Sequence, residues 1–337
     1  MSAADEETLL RRWIPGTDAL RSHHRAMTVG AMTAALTAGA RTGLIEALEE
    51  GGDAAALASR CGLDLRATQA VLDLYAALGL TAIEGGRHRL HPDFRDDVFG
   101  APVSLSTCFW ASLEPWLRTG ERPGPYGADS PELRATLYRT AVEGLARMFE
   151  PVADAVADAL AARHPAPRRV LDVGAGSGVW SLAMAARHPE ARVTGFDLPP
   201  VLERFTAHAE ALGLADRVDV VAGDLNEPPL PAGFDRVVLA NVLHLEGPER
   251  AAAWTRAAVD TVAPGGWLVV IDALPGEDRG DRLRHAAYGL HLQMRTGEGR
   301  PHDEGALRAW MADAGLVDIE RLAATDTGVD ALVGIRP

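Results

Sequence analysis

The chain has 337 residues and a formal charge of −14, and every one of its 33 Lys+Arg positions is an arginine. A chain without lysine cannot supply the primary amine that a P-loop phosphate site or a pyridoxal Schiff base requires. The acidity argues against general affinity for nucleic acid, because binding to polyanions draws most of its free energy from neutralised phosphates. Two cysteines, Cys61 and Cys108, are too few for a disulfide framework or a zinc site, so we expect reduced thiols and no metal.

No targeting or membrane segment is expected. The first residues, MSAADEETLL, are acidic and lack the basic and apolar regions of a secretion signal. The longest weakly polar stretch, around Val29–Ala40, falls well short of the roughly 20 apolar residues that span a bilayer. We therefore predict a cytoplasmic protein without membrane contact.

The first hundred residues have helical apolar spacing that ends in a hairpin. A long helix is predicted over Leu20–Arg41 and a short one over Leu44–Glu49. Next come a helix, a turn at Cys61-Gly62, a helix capped by Asp64, and a hairpin about Gly85-Gly86. This order is typical of a winged helix, which serves DNA binding in some proteins and packing or dimerisation in others.

Charge favours the packing interpretation. Residues 1–100 carry 10 Arg against 14 Asp+Glu, and the helix Leu65–Leu78 offers only Arg66 against Asp73. A helix that reads DNA needs arginines and amides that face bases and phosphates. A ligand-responsive DNA-binding regulator therefore remains only as the alternative from a different functional class.

The spacing of apolar residues changes near residue 165, where predicted strands begin to alternate with predicted helices. This alternation is the pattern of a mostly parallel α/β sheet. We predict a winged-helix-like domain over 1–100, a helical, substrate-lining region over 101–165 and an α/β domain over 166–337. The middle region contains FWASLEPWL, in which Phe109, Trp110 and Trp116 form either simple core or one wall of a pocket for a flat ligand.

A glycine-rich turn follows the first strand of the α/β domain. Val170–Val173 is predicted as a buried strand and Val179–Arg187 as a helix, with Gly174, Gly176 and Gly178 between them. The turn thus lies at the carboxyl end of a strand, where ligands of open α/β sheets bind. Its G-x-G-x-G spacing differs from the G-x-G-x-x-G of dinucleotide-binding proteins.

Three acids stand at successive strand ends: Asp172, Asp197 and Asp224. A carboxylate in the second position can bind both hydroxyls of a ribose, and one in the third can accept from an adenine amino group. Three negative charges repel a pyrophosphate and favour a cation, so S-adenosylmethionine, which has a sulfonium and no phosphate, fits this site. The alternative is that these acids only cap helices and solubilise loops.

The segments LDVGAGSG, GFDLP, GDLNEPPLP, VVLANVLH and APGGWLVVID, in that order, resemble the S-adenosylmethionine-dependent O-methyltransferases of plant phenolic and bacterial natural-product metabolism. The resemblance runs from about Leu20 to the end of the chain. It implies a Rossmann-like class I methyltransferase sheet of seven strands and a homodimer formed through the N-terminal domain. It also implies a pocket for a small aromatic or polyketide-like acceptor, with no nucleic-acid partner.

The same resemblance assigns individual residues. The three loop glycines match the turn under the methionine portion of the cofactor, and Arg134 matches an arginine near the methionine carboxylate. Asp197 with Leu198 corresponds to the ribose site, and Asp224 with Leu225 to the adenine pocket. In YGLHLQMRTGEG, His291 and Met294 match the segment that lines the acceptor pocket, although their helical spacing also suits a core.

His244 matches the family's general base, which takes the proton from an acceptor hydroxyl, and Asp272 matches the acid that orients it. The family's His-Asp-Trp is His244-Leu245-Glu246 here, and Asp272 is one carbon shorter than the usual glutamate. A second family glutamate is replaced by Pro301, and His302 or Glu304 could compensate. These departures leave open methyl transfer to carbon or nitrogen, or a relative that retains the cofactor and catalyses a rearrangement or decarboxylation.

Overall fold

The computed structural model describes residues 18–91, 110, 112–122, 131–225, 230–274, 279–323 and 329–337, with the backbone alone for 18–28, 131–141, 143–144 and 279–281. The described residues divide into two compact units. The first contains residues 18–91 and Trp110, and the second contains the described residues from Ser112 to Pro337. The sequence predicted a separate helical region over 101–165, and that three-part division stays a prediction.

The N-terminal unit has the predicted order of helix, turn, helix and hairpin. Its elements are α1 (Asp18–Arg41), α2 (Leu44–Glu50), α3 (Ala54–Cys61), α4 (Leu65–Ala77), β1 (Thr81–Glu84) and β2 (Arg87–Leu90). The Asp53 and Asp64 carboxylates each accept a hydrogen bond of 2.8 Å from a backbone N–H in the first turn of α3 and α4, which fixes where these helices begin. Leu48, Leu57 and Leu72 are fully buried and form the core of the unit.

The second unit alternates helices and strands along the chain. Its elements are α5 (Leu113–Thr119), α6 (Pro131–Arg163), β3 (Arg169–Val173), α7 (Val179–Arg187), β4 (Arg192–Asp197), α8 (Pro199–Ala211), β5 (Val218–Ala222), β6 (Phe234–Ala240), α9 (Pro248–Thr261), β7 (Val262–Ala273), α10 (Arg279–Arg295), α11 (Glu304–Asp313), β8 (Val317–Leu322) and β9 (Val329–Ile335).

These strands form one seven-stranded sheet in the order β5-β4-β3-β6-β7-β9-β8. The first five strands are parallel, and β9 runs antiparallel to both β7 and β8. The chain moves outward from β3 to β5 and then returns to the other side of β3 as β6. The direction of winding thus reverses between β3 and β6, and ligands of such sheets bind outside the carboxyl ends of the strands at that point. The predicted α/β fold is confirmed.

Helices cover both faces of the sheet. On one face, side chains of α6, α7 and α8 pack on it, and Val156, Leu182 and Phe205 have no exposed surface. On the other face, α9 and α11 do the same, with Ala258 and Met311 fully buried. This packing holds the strand ends in place, so the loops that follow them are built on a rigid base. Within the described residues, no helix is long and apolar enough to cross a membrane.

Candidate active site

The glycine loop follows β3 and is bonded to the end of β4. The Gly174 N–H donates to the Phe196 carbonyl oxygen at 2.9 Å. The Gly176 N–H donates to Asp197 Oδ2 at 2.8 Å, and Asp197 Oδ1 accepts from the Leu198 N–H at 2.7 Å. The predicted loop and the predicted second-strand acid therefore form one connected structure where the winding of the sheet reverses.

The other two acids continue this edge of the sheet. Asp224 follows Gly223, whose N–H donates to the Asp197 carbonyl oxygen at 3.0 Å. Burial, together with the charge of Asp224, raises the pKa of Asp197. Asp172 is 1% exposed and accepts a hydrogen bond from Ser181 Oγ, while burial and the charge of Asp197 raise its pKa to about 7. Each carboxylate thus disfavours the charge of its neighbour, and a cationic ligand would relieve this repulsion.

The remaining cofactor predictions have different outcomes. Gly178 immediately precedes α7, and Leu225 is half-buried against the core on the α9 face. Asp172 has almost no accessible surface and is bonded to Ser181 of α7, so it offers a ligand no direct contact, and its role at the cofactor stays a prediction. The side chain of Arg134 lies outside the described residues.

A second cluster lies at the end of β6, next to β3 in the sheet. The Asn241 N–H donates to the Ile271 carbonyl oxygen at 2.8 Å, so the chain turns there while still paired with β7. The 3₁₀ turn that follows, Leu243–Leu245, carries His244. His244 Nδ1 lies 2.6 Å from Asp272 Oδ1, and each of these two residues is only 2% exposed. The shorter acid therefore reaches the imidazole.

The protonation of this pair follows from its surroundings. Burial alone would raise the pKa of Asp272, but the charge and the hydrogen bond of His244 outweigh it and hold that pKa below its ordinary value. Asp272 is therefore ionised near neutral pH, and it also accepts from the Ala273 N–H at 2.7 Å. A carboxylate accepts hydrogen bonds only, so in the neutral form of His244 the imidazole proton resides on Nδ1 and Nε2 is left as an acceptor.

Sequence reasoning missed Tyr288. This half-buried residue of α10 places its hydroxyl 2.9 Å from His244 Nε2, with the two rings edge to face at 5.3 Å. The signal was present, because Tyr288 lies three residues before His291 and therefore on the same face of a helix. His291 stacks on the Tyr288 ring at 6.3 Å, and burial, with the charges of Arg295 and His244, lowers its pKa to about 4.

His302 and Glu304 are the predicted replacements for the second glutamate that the family usually has. His302 is 5% exposed, and its Nε2 lies 3.0 Å from the Leu243 carbonyl oxygen, so it braces the turn that carries His244. Glu304 instead accepts from Arg308 at 2.7 Å and from Arg321 at 2.8 Å. His302 is therefore associated with the His244 cluster, whereas Glu304 belongs to an ion-pair network.

The predicted acceptor-lining residues have different surroundings. His291 is next to Tyr288, but Met294 is completely buried and packs as core. Trp116 is half-buried on α5 in the second unit, whereas Trp110 lines a groove along α1 in the first. Phe109 lies outside the described residues. The acceptor-binding roles of these residues stay predictions.

The chain is similar to known methyltransferases and related proteins. The chain is 27% identical over 318 residues to 3-hydroxy-5-methyl-1-naphthoate 3-O-methyltransferase of Streptomyces sahachiroi, covering 89% of this chain and 90% of that protein. It is also 39% identical over 141 residues to aclacinomycin 10-hydroxylase RdmB of Streptomyces purpurascens, covering 41% and 37% of the two chains. The solved structure of the S-adenosylmethionine-dependent methyltransferase SibL superposes with a TM-score of 0.66 and 29% identity, covering 93% of this chain and 98% of that one.

The model of the O-methyltransferase domain family matches residues 129–317, which is more than half of the chain. That match includes the glycine loop, the three acids and the His244 cluster. The chain therefore belongs to the O-methyltransferase family, which confirms the enzyme class and the cofactor, S-adenosylmethionine, that the sequence predicted.

Proposed function

We propose that the protein transfers the methyl group of S-adenosylmethionine to a hydroxyl of a small aromatic or polyketide-like natural product, with His244 as the base. The observation that carries the proposal is the buried His244–Asp272 pair beside the acidic cofactor edge. The naphthoate named for the Streptomyces sahachiroi relative supports an aromatic hydroxyl acceptor. Transfer to oxygen is the case in which such a base is needed, because a hydroxyl attacks well only as it loses its proton.

The chain's own residues bind and orient the reactants. In this proposal S-adenosylmethionine is held by the glycine loop, Asp197, Leu198, Asp224 and Leu225. Its sulfonium supplies an activated methyl group when the cofactor is bound. Methyl transfer is an in-line displacement, so alignment and exclusion of water account for much of the rate. Both requirements favour a site on rigid strand ends such as this one.

His244 and Asp272 handle the acceptor's proton. Asp272 holds the imidazole with its proton on Nδ1, so Nε2 is able to take another. When Nε2 takes the acceptor's proton, the imidazolium that results lies against an ionised carboxylate and is stabilised by it. The chain uses an aspartate where its family usually has a glutamate, and the 2.6 Å contact maintains this function.

Methyl-labelled S-adenosylmethionine with 3-hydroxy-5-methyl-1-naphthoate and related hydroxyarenes tests the proposal. We expect label on the acceptor oxygen, and a loss of about 100-fold or more for His244→Ala, as for removal of a positioned base. His188→Ala, at the distant end of α7, is the matched control and should retain activity. A loss of less than about tenfold for His244→Ala would refute the assignment of the base.

The same experiment distinguishes the rival reactions. Label on carbon or nitrogen would indicate a different methyl acceptor. An altered product without label would indicate a cofactor-binding relative with another chemistry, an outcome made relevant by the similarity to a protein named as a hydroxylase. Either result would overturn O-methylation while leaving the cofactor site in place.

We also propose a cytoplasmic homodimer that contacts itself through the N-terminal unit and binds no nucleic acid. Helix α1 supports the contact, because its small residues Gly30, Ala34 and Ala38 line an open groove beside Trp110. Sedimentation of the full chain should give twice the monomer mass. The excess of acids in residues 1–100 predicts no DNA shift at any salt concentration, since phosphate binding requires clustered cations.

A further inference from the structure

The Tyr288 hydroxyl is hydrogen-bonded to Nε2 of His244, the nitrogen that must accept the proton of the acceptor hydroxyl. Asp272 takes Nδ1 at 2.6 Å, and the Tyr288 hydroxyl lies 2.9 Å from Nε2. Because the Nδ1 proton is directed at Asp272, Nε2 is the acceptor in its contact with Tyr288 and the phenol is the donor. The base described above is therefore already hydrogen-bonded to a side chain of this chain.

Burial decides which of the two groups an acceptor can reach. His244 is 2% exposed, whereas Tyr288 is only half-buried. The Tyr288 ring contacts two imidazoles, that of His244 edge to face and that of His291 stacked at 6.3 Å between ring centroids. Tyr288 is therefore the more accessible of the two side chains to an acceptor.

We propose that Tyr288 is a catalytic residue that relays the acceptor's proton to His244. The inference rests on the proposed O-methylation. A phenol oxygen that donates its own proton can accept another, so it can lie between the acceptor and Nε2. The geometry that carries the relay is the aligned series of Asp272, His244 and Tyr288, all in the second unit.

The relay balances. As the acceptor oxygen bonds to the methyl carbon, the carbon–sulfur bond breaks and its electron pair remains on sulfur. The acceptor's proton moves to the Tyr288 oxygen, and the proton of Tyr288 moves to His244 Nε2. Tyr288 ends neutral, His244 ends as an imidazolium against Asp272, and release of that proton to water restores the site.

Tyr288→Phe removes the hydroxyl and retains the ring, so it tests the relay directly. With the acceptor that the labelling experiment identifies, we expect kcat to fall about 100-fold while KM changes less than about threefold. Tyr75→Phe, which removes a buried phenol in the N-terminal unit, is the matched control and should retain wild-type kcat. The wild-type rate in mixtures of light and heavy water should curve with isotope content, since two protons move together.

The opposite explanation makes the opposite prediction. If the Tyr288 hydroxyl only occupies the place of the acceptor hydroxyl until the acceptor displaces it, Tyr288→Phe should leave kcat unchanged or higher and lower KM. That result, with activity still lost in His244→Ala, would overturn the relay and leave O-methylation intact. A wild-type enzyme that labels no hydroxyl would overturn both.

A measurement without acceptor checks the contact itself. In protein labelled with ¹⁵N-histidine, the Nε2 resonance of His244 should move toward that of a nitrogen without a donor when Tyr288 becomes Phe. Tyr75→Phe should leave it in place, and calorimetry should give unchanged affinity of the Tyr288→Phe variant for S-adenosylmethionine. An Nε2 resonance that does not respond to Tyr288→Phe would refute the hydrogen bond and with it the relay.

Discussion

Gly178→Ala tests how the glycine loop is built. Gly178 has φ +73°, a left-handed conformation that costs residues with a Cβ about 1 kcal/mol. A Cβ there would lie 2.6 Å from two ring carbons of Phe205 and 3.0 Å from a methyl carbon of Leu182. Phe205 is fully buried between α8 and the sheet, so it has little room to move. The substitution therefore combines backbone strain with overpacking.

Gly176→Ala separates the two effects. Its φ is +56°, so the backbone strain is similar, but its Cβ would meet nothing closer than 3.9 Å, at Val142. We expect a loss in the free energy of unfolding of about 1 kcal/mol for Gly176→Ala. Gly178→Ala should add the cost of overpacking and lose about 2–4 kcal/mol in total. The difference of about 1–3 kcal/mol belongs to the contact with Phe205.

Urea unfolding of both variants, monitored by a spectroscopic signal of the second unit, measures this difference in the free energy of unfolding. Adding Phe205→Leu should couple favourably to Gly178→Ala and not to Gly176→Ala, because only the first Cβ meets that ring. Calorimetry should also give weaker S-adenosylmethionine binding for Gly178→Ala, since the loop is displaced. Equal destabilisation by the two alanines, or an absence of coupling to Phe205→Leu, would refute the steric account.

Three further predictions concern charge. Because the pKa of Asp172 is raised to about 7, its carboxylate forms as the pH rises from about 6 to about 8, and the affinity for the cationic cofactor should rise over the same range. The rise in affinity should reach about tenfold if the bound cation lowers the pKa of Asp172 by one unit. Asp172→Asn should remove this pH dependence when the affinity is measured by calorimetry. Asp197→Asn presents an amide donor to one of two backbone N–H groups, so cofactor affinity should fall about tenfold, and undiminished affinity would contradict the site. Arg217→Met removes a guanidinium that contacts four carbonyl oxygens at and after the end of α7, and it should lower the free energy of unfolding by about 1–2 kcal/mol. Arg256→Met, on an exposed face, should change that free energy by less than about 0.5 kcal/mol, and equal effects of the two substitutions would exclude the capping role of Arg217.

The strand ends at the proposed cofactor site could be predicted from sequence, because each is specified by residues that are close together in the chain. A buried strand followed by glycines, and acids at strand ends, specify a turn and a position in chain order. Parallel strands then bring those ends to one edge of the sheet without further information. Asp172 is the exception, since its bond to Ser181 one helical turn into α7 depends on how α7 packs on β3.

The His244 cluster was only partly predictable, because its members come from elements distant in sequence. His244 lies in the turn that follows β6, and Asp272 lies near the end of the neighbouring strand β7, so the sheet order brings them close together. Helical spacing places Tyr288 on the same face as His291, but no local pattern specifies that this face of α10 packs against His244. The helical spacing of His291 and Met294 suggested one face, yet Met294 is core and the face toward His244 is that of Tyr288. Helix periodicity identifies which residues share a face of a helix, but tertiary packing decides which part of the protein that face contacts.

The parallel strands carry arginines beside Asp219 and Asp235 at their amino ends and acids at their carboxyl ends. Arg169 and Arg192 begin β3 and β4, and Arg236 lies near the start of β6, where it donates to the Pro165 carbonyl oxygen at 2.8 Å. The acids Asp197 and Asp272 stand at the opposite, carboxyl edge. A cation is therefore drawn to the carboxyl ends of the strands, where the proposed cofactor site and the proposed base lie. Methyl transfer turns the cofactor's sulfonium into a neutral thioether, so this attraction acts on the reactant and is lost on the product, which favours its release.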